Sequence, residues 1–180
     1  MKKLLIIGLV LIGLGFTQQK LVTYKFKYPK KKNVELKIDI PKEWKISKEK
    51  RGEADLYFTN ITKNNGNQIL FSVLFFKLND EEKESVEELA LNDPIVPFAF
   101  FLDKSRTVKM ESKVKTWHNE DFYFKDSNIE DFNGIKAHQK NINAYCMYGY
   151  DLFVKIHISK LNYSPADSIK MMKILNTIVK

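Results

Sequence analysis

The residues able to carry chemistry are few. His118, His138 and His157 stand about twenty residues apart, without the H-x-H or H-x-x-x-H spacing that sets two imidazoles on one face of a strand or helix. No metal set is predicted from them. The single thiol, Cys146, lies in "AYCMYGY", which carries no signature of a cysteine hydrolase. It reads as a core residue, and one cysteine cannot form an intrachain disulfide. "DSNIEDFNG" (126–134) places Asp126, Asn128 and Glu130 at the first, third and fifth places of a calcium loop. The sixth place holds Asp131 instead of Gly, and the twelfth holds Ala137 instead of Glu, so the loop fails. The segment reads as an acidic turn before a strand.

Only Gly52, Gly66, Gly134 and Gly149 follow the first seventeen residues, too few for a Gly-rich phosphate loop, and no G-x-S-x-G elbow is present. The expectation is therefore a non-catalytic protein with no metal and no cofactor. A small hydrolase using Cys146 or clustered acids is the rival. The richer signal is apolar. "IVPFAFF" (95–101), Trp117 and "AYCMYGY" (144–150) gather large side chains near expected loop ends. Phe100 and Phe101 read mainly as a roof over a sheet. Ile95, Val96 and Phe98 are the candidate partner-binding residues, because Pro94 and Pro97 prevent one regular helical stripe and a surplus of apolar side chains marks interaction surfaces.

The N-terminus predicts a compartment. Lys2 and Lys3 precede an uncharged stretch from Leu4 to Phe16, and Gly15-Phe16-Thr17 ends it with small residues at −3 and −1. This is the pattern of a secretory signal peptide cleaved after Thr17. A spanning helix needs roughly 20 apolar residues, and Gln18, Gln19 and Lys20 end this run too early. Residues 18–180 then form one domain in the periplasm or outside the cell. The chain has a net charge of +8, and the signal holds two of the lysines, leaving +6. Those lysines alternate with apolar residues and Arg is nearly absent. That is the outer face of a sheet rather than a nucleic-acid footprint.

The elements follow from periodicity. Val22, Tyr24, Phe26 and Tyr28 alternate with polar residues, as do Val34, Leu36, Ile38 and Ile40, giving two half-buried strands. "ADLYFTNI" (54–61) and "QILFSVLFFKL" (68–78) are joined by "NNGN" as an antiparallel pair, the second apolar on both faces and so central. A helix is predicted over 79–93, then strands at 108–115, 121–124, 134–145 and 151–161. Asn133-Gly134 marks another hairpin turn. In 162–180 Ser164 is an N-cap, Pro165 suits the first helical position and Asp167 is the capping acid. Ile169, Met172, Leu175 or Asn176, and Val179 set its apolar face, widened by Met171, Ile174 and Ile178. The fold class expected is α+β: a central antiparallel sheet of about 6–8 strands covered by a mid-chain and a C-terminal helix.

Several short motifs come in a telling order: "F-K-Y-P" (26–29), "I-P-K-E-W-K-I" (40–46), a mid-chain helix with an apolar tail, "F-N-G-I-K-A" (132–137) and "I-L-N-T-I" (174–178). Over residues 24–179 this resembles the Mog1/PsbP-like α/β/α sandwich family. The resemblance implies that Pro41 closes an early strand and that Trp44 packs into the core. It also implies a mostly non-enzymatic role, and no functional residue set carries over. The function expected is an exported domain that binds an unidentified protein partner or supports an envelope process, with no nucleic acid and no membrane span after cleavage. The alternative is an immunity or inhibitor protein for a secreted toxin.

Overall fold

The computed structural model describes residues 20–51, 54–59, 68–79, 84–93, 110–132 and 135–180. Two strands stand apart as a hairpin: β1 (Leu21–Lys27) and β2 (Glu35–Pro41). Seven more form one sheet: β3 (Ile46–Arg51), β4 (Ala54–Thr59), β5 (Leu70–Lys77), β6 (Met110–His118), β7 (Tyr123–Phe132), β8 (Ile135–Tyr148) and β9 (Leu152–Leu161). Their spatial order is β3-β4-β5-β9-β8-β7-β6, with every pair antiparallel. Two meanders therefore meet at the β5–β9 seam. Two helices complete the described fold, α1 (Val86–Asn92) and α2 (Pro165–Leu175). The class is α+β, as expected.

Strand alternation divides the interior in two. On one face of the sheet Phe71, Val73, Phe75, Ile142, Ala144, Cys146, Val154, Ile156 and Ile158 form a core with the β1–β2 hairpin and α2. On the other face a smaller core joins Leu78, Tyr123, Tyr145 and Phe153 to Ala90 of α1. The two helices thus cover opposite faces. β5 feeds both cores, Phe71, Val73 and Phe75 one and Phe76 the other, which explains its apolar run.

The hairpin is bound to the sheet by aromatic packing and two hydroxyls. Phe26 meets Tyr57 edge-on, with ring centroids 5.4 Å apart. Tyr57 donates to the Lys27 carbonyl at 2.7 Å, and Tyr148 donates to the Glu35 carbonyl at 2.7 Å. β2 ends at Pro41, whose carbonyl accepts the Trp44 amide at 2.9 Å, and the Trp44 ring lies 5.5 Å from that of Phe71. Pro41-x-x-Trp44 is a strand end, with the ring half-buried against the core.

Four expectations are corrected. "DSNIEDF" is not a turn, because Asp126–Phe132 belongs to β7 and pairs with both β6 and β8. Its acids find cross-strand partners: Asp126 holds Lys140, and Glu130 lies 3.5 Å from His138. β8 continues to Tyr148, past the expected 145. "ISKEKR" is a strand that the reading missed, since an edge strand rich in charge looks like loop. The mid-chain helix starts at Val86 rather than near 79, with Ser85 and Glu88 forming a reciprocal capping box.

α2 begins as expected, with Ser164 and Asp167 in a capping box and Pro165 in the first turn. Its buried face is Met171, Ile174 and Leu175, each worth about 1.5–3 kcal/mol when fully buried. The predicted face is buried at Met171, Ile174 and Leu175, with Met172 and Ile178 packed against the core, but its two ends depart from it: Ile169 is exposed, and Val179 has left the helix to bridge Lys37 of β2.

Candidate functional site

Each strand pair places alternate side chains on the α1 face, and on β7, β8 and β9 many of these are polar. Lys125 stands beside Asn143 and His157 on one rung, and Ser127 beside Asn141 and Ser159 on the next. All but His157 are classed as buried, as is Gln139. A buried polar group costs free energy unless it is hydrogen-bonded, so the partners of these groups decide what they do.

Asp93, the C-cap of α1, is the hub. Its carboxylate takes the Lys155 ammonium at 2.6 and 2.8 Å and the Tyr145 hydroxyl at 2.7 Å. Burial, with the adjacent Asp93 charge, pushes the Tyr145 hydroxyl far above its ordinary range. Lys125 donates to the carbonyls of Asp93, Leu91 and Ala90 at 2.7, 3.2 and 3.0 Å. An ammonium at a helix C-terminus satisfies the carbonyls that lack an intrahelical partner. Burial still lowers its pKa, against the attraction of Asp93.

His157 is held at both ring nitrogens. Nδ1 lies 2.7 Å from Asn143 Oδ1, and Nε2 lies 2.9 Å from Ser159 Oγ. The amide oxygen can only accept, so Nδ1 carries the proton and Nε2 accepts from the Ser159 hydroxyl. Desolvation, then the nearby Lys155 charge, depress the imidazole pKa to about 3. The connectivity copies that of a nucleophilic serine, base and orienter. Ser159 is 2% exposed, however, so a substrate carbonyl has no approach to its hydroxyl. The chain of hydrogen bonds fixes one side-chain arrangement in the sheet.

The opposite face carries an accessible concavity. A groove of about 550 Å³ runs between α2 and the sheet, lined by Asp126, Lys140, Ser168, Ile169, Met172, Lys173 and Asn176. Its floor is charged but closed: the Lys140 ammonium spans both Asp126 oxygens at 2.6 and 2.7 Å. Its rim is α2, with Ile169 71% exposed and Met172 half-buried. Lys160 pairs with Asp167 at 2.8 Å in the first turn of α2. Lys170 and Lys173 make no ion pair among the described residues.

The residues singled out by sequence fare differently. Ile95, Val96 and Phe98 lie outside the described residues, as do Phe100 and Phe101. His118 and His138 are exposed and His157 is interior, so the three do not converge. No group of three or more His, Cys, Asp or Glu fit to hold a metal occurs among the described residues. Cys146 is 0% exposed, and burial pushes its thiol up to about 12, which removes it as a nucleophile near neutral pH. No helix among the described residues is long and apolar enough to cross a membrane.

Sequence reading missed the Asp93 hub and the polar rungs. Asn141 and Asn143 alternate with apolar residues in "NINAY", which reads as a solvated face. The groove needed the rotation of α2 to be known. In comparison with known proteins, the chain matches no family model and no curated protein.

Proposed function

We propose that this chain is an exported, non-catalytic binding domain whose recognition surface is the groove along α2. The observation that carries this reading is Ile169, a large apolar side chain left 71% exposed on the rim of that groove. Beside it lie Met172, which is half-buried, and the ammoniums of Lys170 and Lys173, which make no ion pair among the described residues. The partner that fits is a protein segment combining apolar side chains with acidic ones. Apolar area then supplies affinity, and charge complementarity supplies orientation and on-rate.

Two further observations support the binding role. The groups best suited to chemistry are committed elsewhere: His157 at both nitrogens, Asp93 to Lys155 and Tyr145, and Cys146 to the core. Cleavage after Thr17 would also fall before β1, which starts at Leu21, and so leave the described strands and helices intact. Membership of the Mog1/PsbP-like family is part of the same proposal, supported by the Pro41–Trp44 strand end and by helices on both faces of an antiparallel sheet. The compartment proposed is the periplasm or the cell exterior.

A photo-crosslinking residue at position 169 tests the surface. It should trap a partner that, once purified, binds the wild-type domain, while the same residue at exposed Tyr150 in the β8–β9 turn should not. Equal trapping at both positions would contradict the assignment. N-terminal sequencing of the exported protein should start at Gln18, and a chain retained with Met1 would contradict export.

A further inference from the structure

We infer that the outer face of the β1–β2 hairpin, with the β8–β9 turn beside its tip, is a docking surface for an anionic phospholipid bilayer. Charge is spread unevenly along this chain. Residues 20–45 hold nine lysines and three acids, a net charge of +6. The chain after Thr17 carries +6 in all, from 28 basic and 22 acidic residues, so the rest of it sums to zero. All nine lysines are exposed. Solvation alone is served by charges of mixed sign, whereas a patch of one sign attracts a surface of the other.

Strand alternation turns the charge outward. Phe26, Leu36, Ile38 and Ile40 face the core, so Lys25, Lys27, Glu35 and Lys37 lie on the outer face. Lys25 stands directly opposite Lys37 in the β1–β2 register, a like-charge pairing that costs stability. Glu35 lies 3.2, 3.6 and 3.8 Å from the ammoniums of Lys25, Lys27 and Lys37. One carboxylate thus serves three cations and leaves two positive charges over. None of these residues lines the α2 groove, and the inference does not depend on that groove binding a protein.

The side chains favour lipid over nucleic acid. Residues 20–45 contain no arginine, the residue whose planar fork grips a phosphate through two hydrogen bonds. The outer positions of β1 and β2 carry no aromatic ring on which a base could stack. A ring does stand at the tip. Lys31, in the β1–β2 turn, pairs with Asp151 at 2.7 Å, and the Asp151 carbonyl accepts the Leu78 amide at 2.8 Å. These contacts hold the β8–β9 turn against the lysine-rich turn of residues 28–34. Tyr150, next to Asp151 in the chain, is 88% exposed, more than any other large apolar side chain among the described residues. A tyrosine projecting beside lysines can seat its ring at headgroup level while the ammoniums meet lipid phosphates.

Cosedimentation of the full chain with lipid vesicles tests the surface. Phosphatidylcholine vesicles with about 30% phosphatidylglycerol are the probe, and pure phosphatidylcholine reports any contribution of the apolar segment 4–16. The anionic vesicles should bind at least about ten-fold tighter at low salt and lose that advantage in about 1 M salt. Lys30→Gln with Lys32→Gln should weaken binding about 25-fold, at about five-fold per lysine. Lys115→Gln with Lys136→Gln removes the same charge from exposed positions on β6 and β8 and should change binding much less. Tyr150→Ser should weaken it several-fold, and every variant should melt as the wild type does. The proposal is overturned if anionic and neutral vesicles bind alike, if the two lysine pairs have equal effects, or if Tyr150→Ser binds as the wild type does. It is overturned in favour of nucleic acid if duplex DNA displaces the protein from the vesicles at equal phosphate concentration.

Discussion

Asp93 and Lys155, 62 residues apart in sequence, meet through both carboxylate oxygens at 2.6 and 2.8 Å. That contact ties the end of α1 to the middle of β9. α1 fully buries only Ala90, so apolar packing alone holds the helix weakly, and the polar clasp supplies much of its docking. Asp93→Ala would leave the Lys155 ammonium and the Tyr145 hydroxyl without their acceptor. The pair is partly buried, and leaving such donors without their acceptor costs about 1–3 kcal/mol, a loss expected in denaturant unfolding. A variant as stable as the wild type would show that α1 docks by its apolar contacts.

The pH dependence follows from His157. Its folded pKa of about 3 lies below the ordinary 6.5. Between those values the unfolded chain binds a proton that the native chain refuses. Stability is therefore complete above about pH 6.5 and falls on acidification, by up to about 1.4 kcal/mol per pH unit. Carboxylates with lowered pKa, such as Asp167 with its Lys160 and Ser164 partners, act in the same direction at lower pH. The contribution of His157 is isolated by comparison with His157→Gln. The variant should show a flatter profile between pH 6.5 and 5, and parallel profiles would exclude a buried neutral imidazole.

Cys146 should behave as a packed methyl-sized group. Its thiol is fully buried and pushed up to about 12. A thiol reagent should label the native protein slowly and the unfolded protein at once. Cys146→Ala should cost about 1–2 kcal/mol as a modest core truncation and leave partner binding intact. Rapid stoichiometric labelling of the native protein would instead revive the hydrolase reading.

Local patterns were legible and packing was not. The β1–β2 alternation, the Pro41–Trp44 strand end and the Ser164-Pro165-x-Asp167 start of α2 are each set by neighbours in sequence, and each appears as read. The length of β7 was hidden because Asp126, Asn128, Glu130 and Asp131 look like turn formers. They are strand residues because β6 and β8 flank them and Lys140 and His138 answer two of the acids. The orientation of α2 was ambiguous because Ile169, Met171, Met172, Ile174 and Leu175 offer more apolar residues than one face can bury. The polar rungs under α1 were illegible for a related reason. Period-two alternation marks which residues share a face and is silent on whether water reaches that face.

The binding role of the α2 groove is tested most directly by calorimetric titration of the purified crosslinked partner into the wild-type domain, Ile169→Asp and Lys173→Glu. Both substitutions lie on exposed positions, so melting temperature should be unchanged. Ile169→Asp should weaken binding at least ten-fold through loss of an apolar anchor. Lys173→Glu should weaken it less and reduce its dependence on salt. Unchanged affinity in Ile169→Asp, with the fold intact, would contradict the groove as the recognition surface.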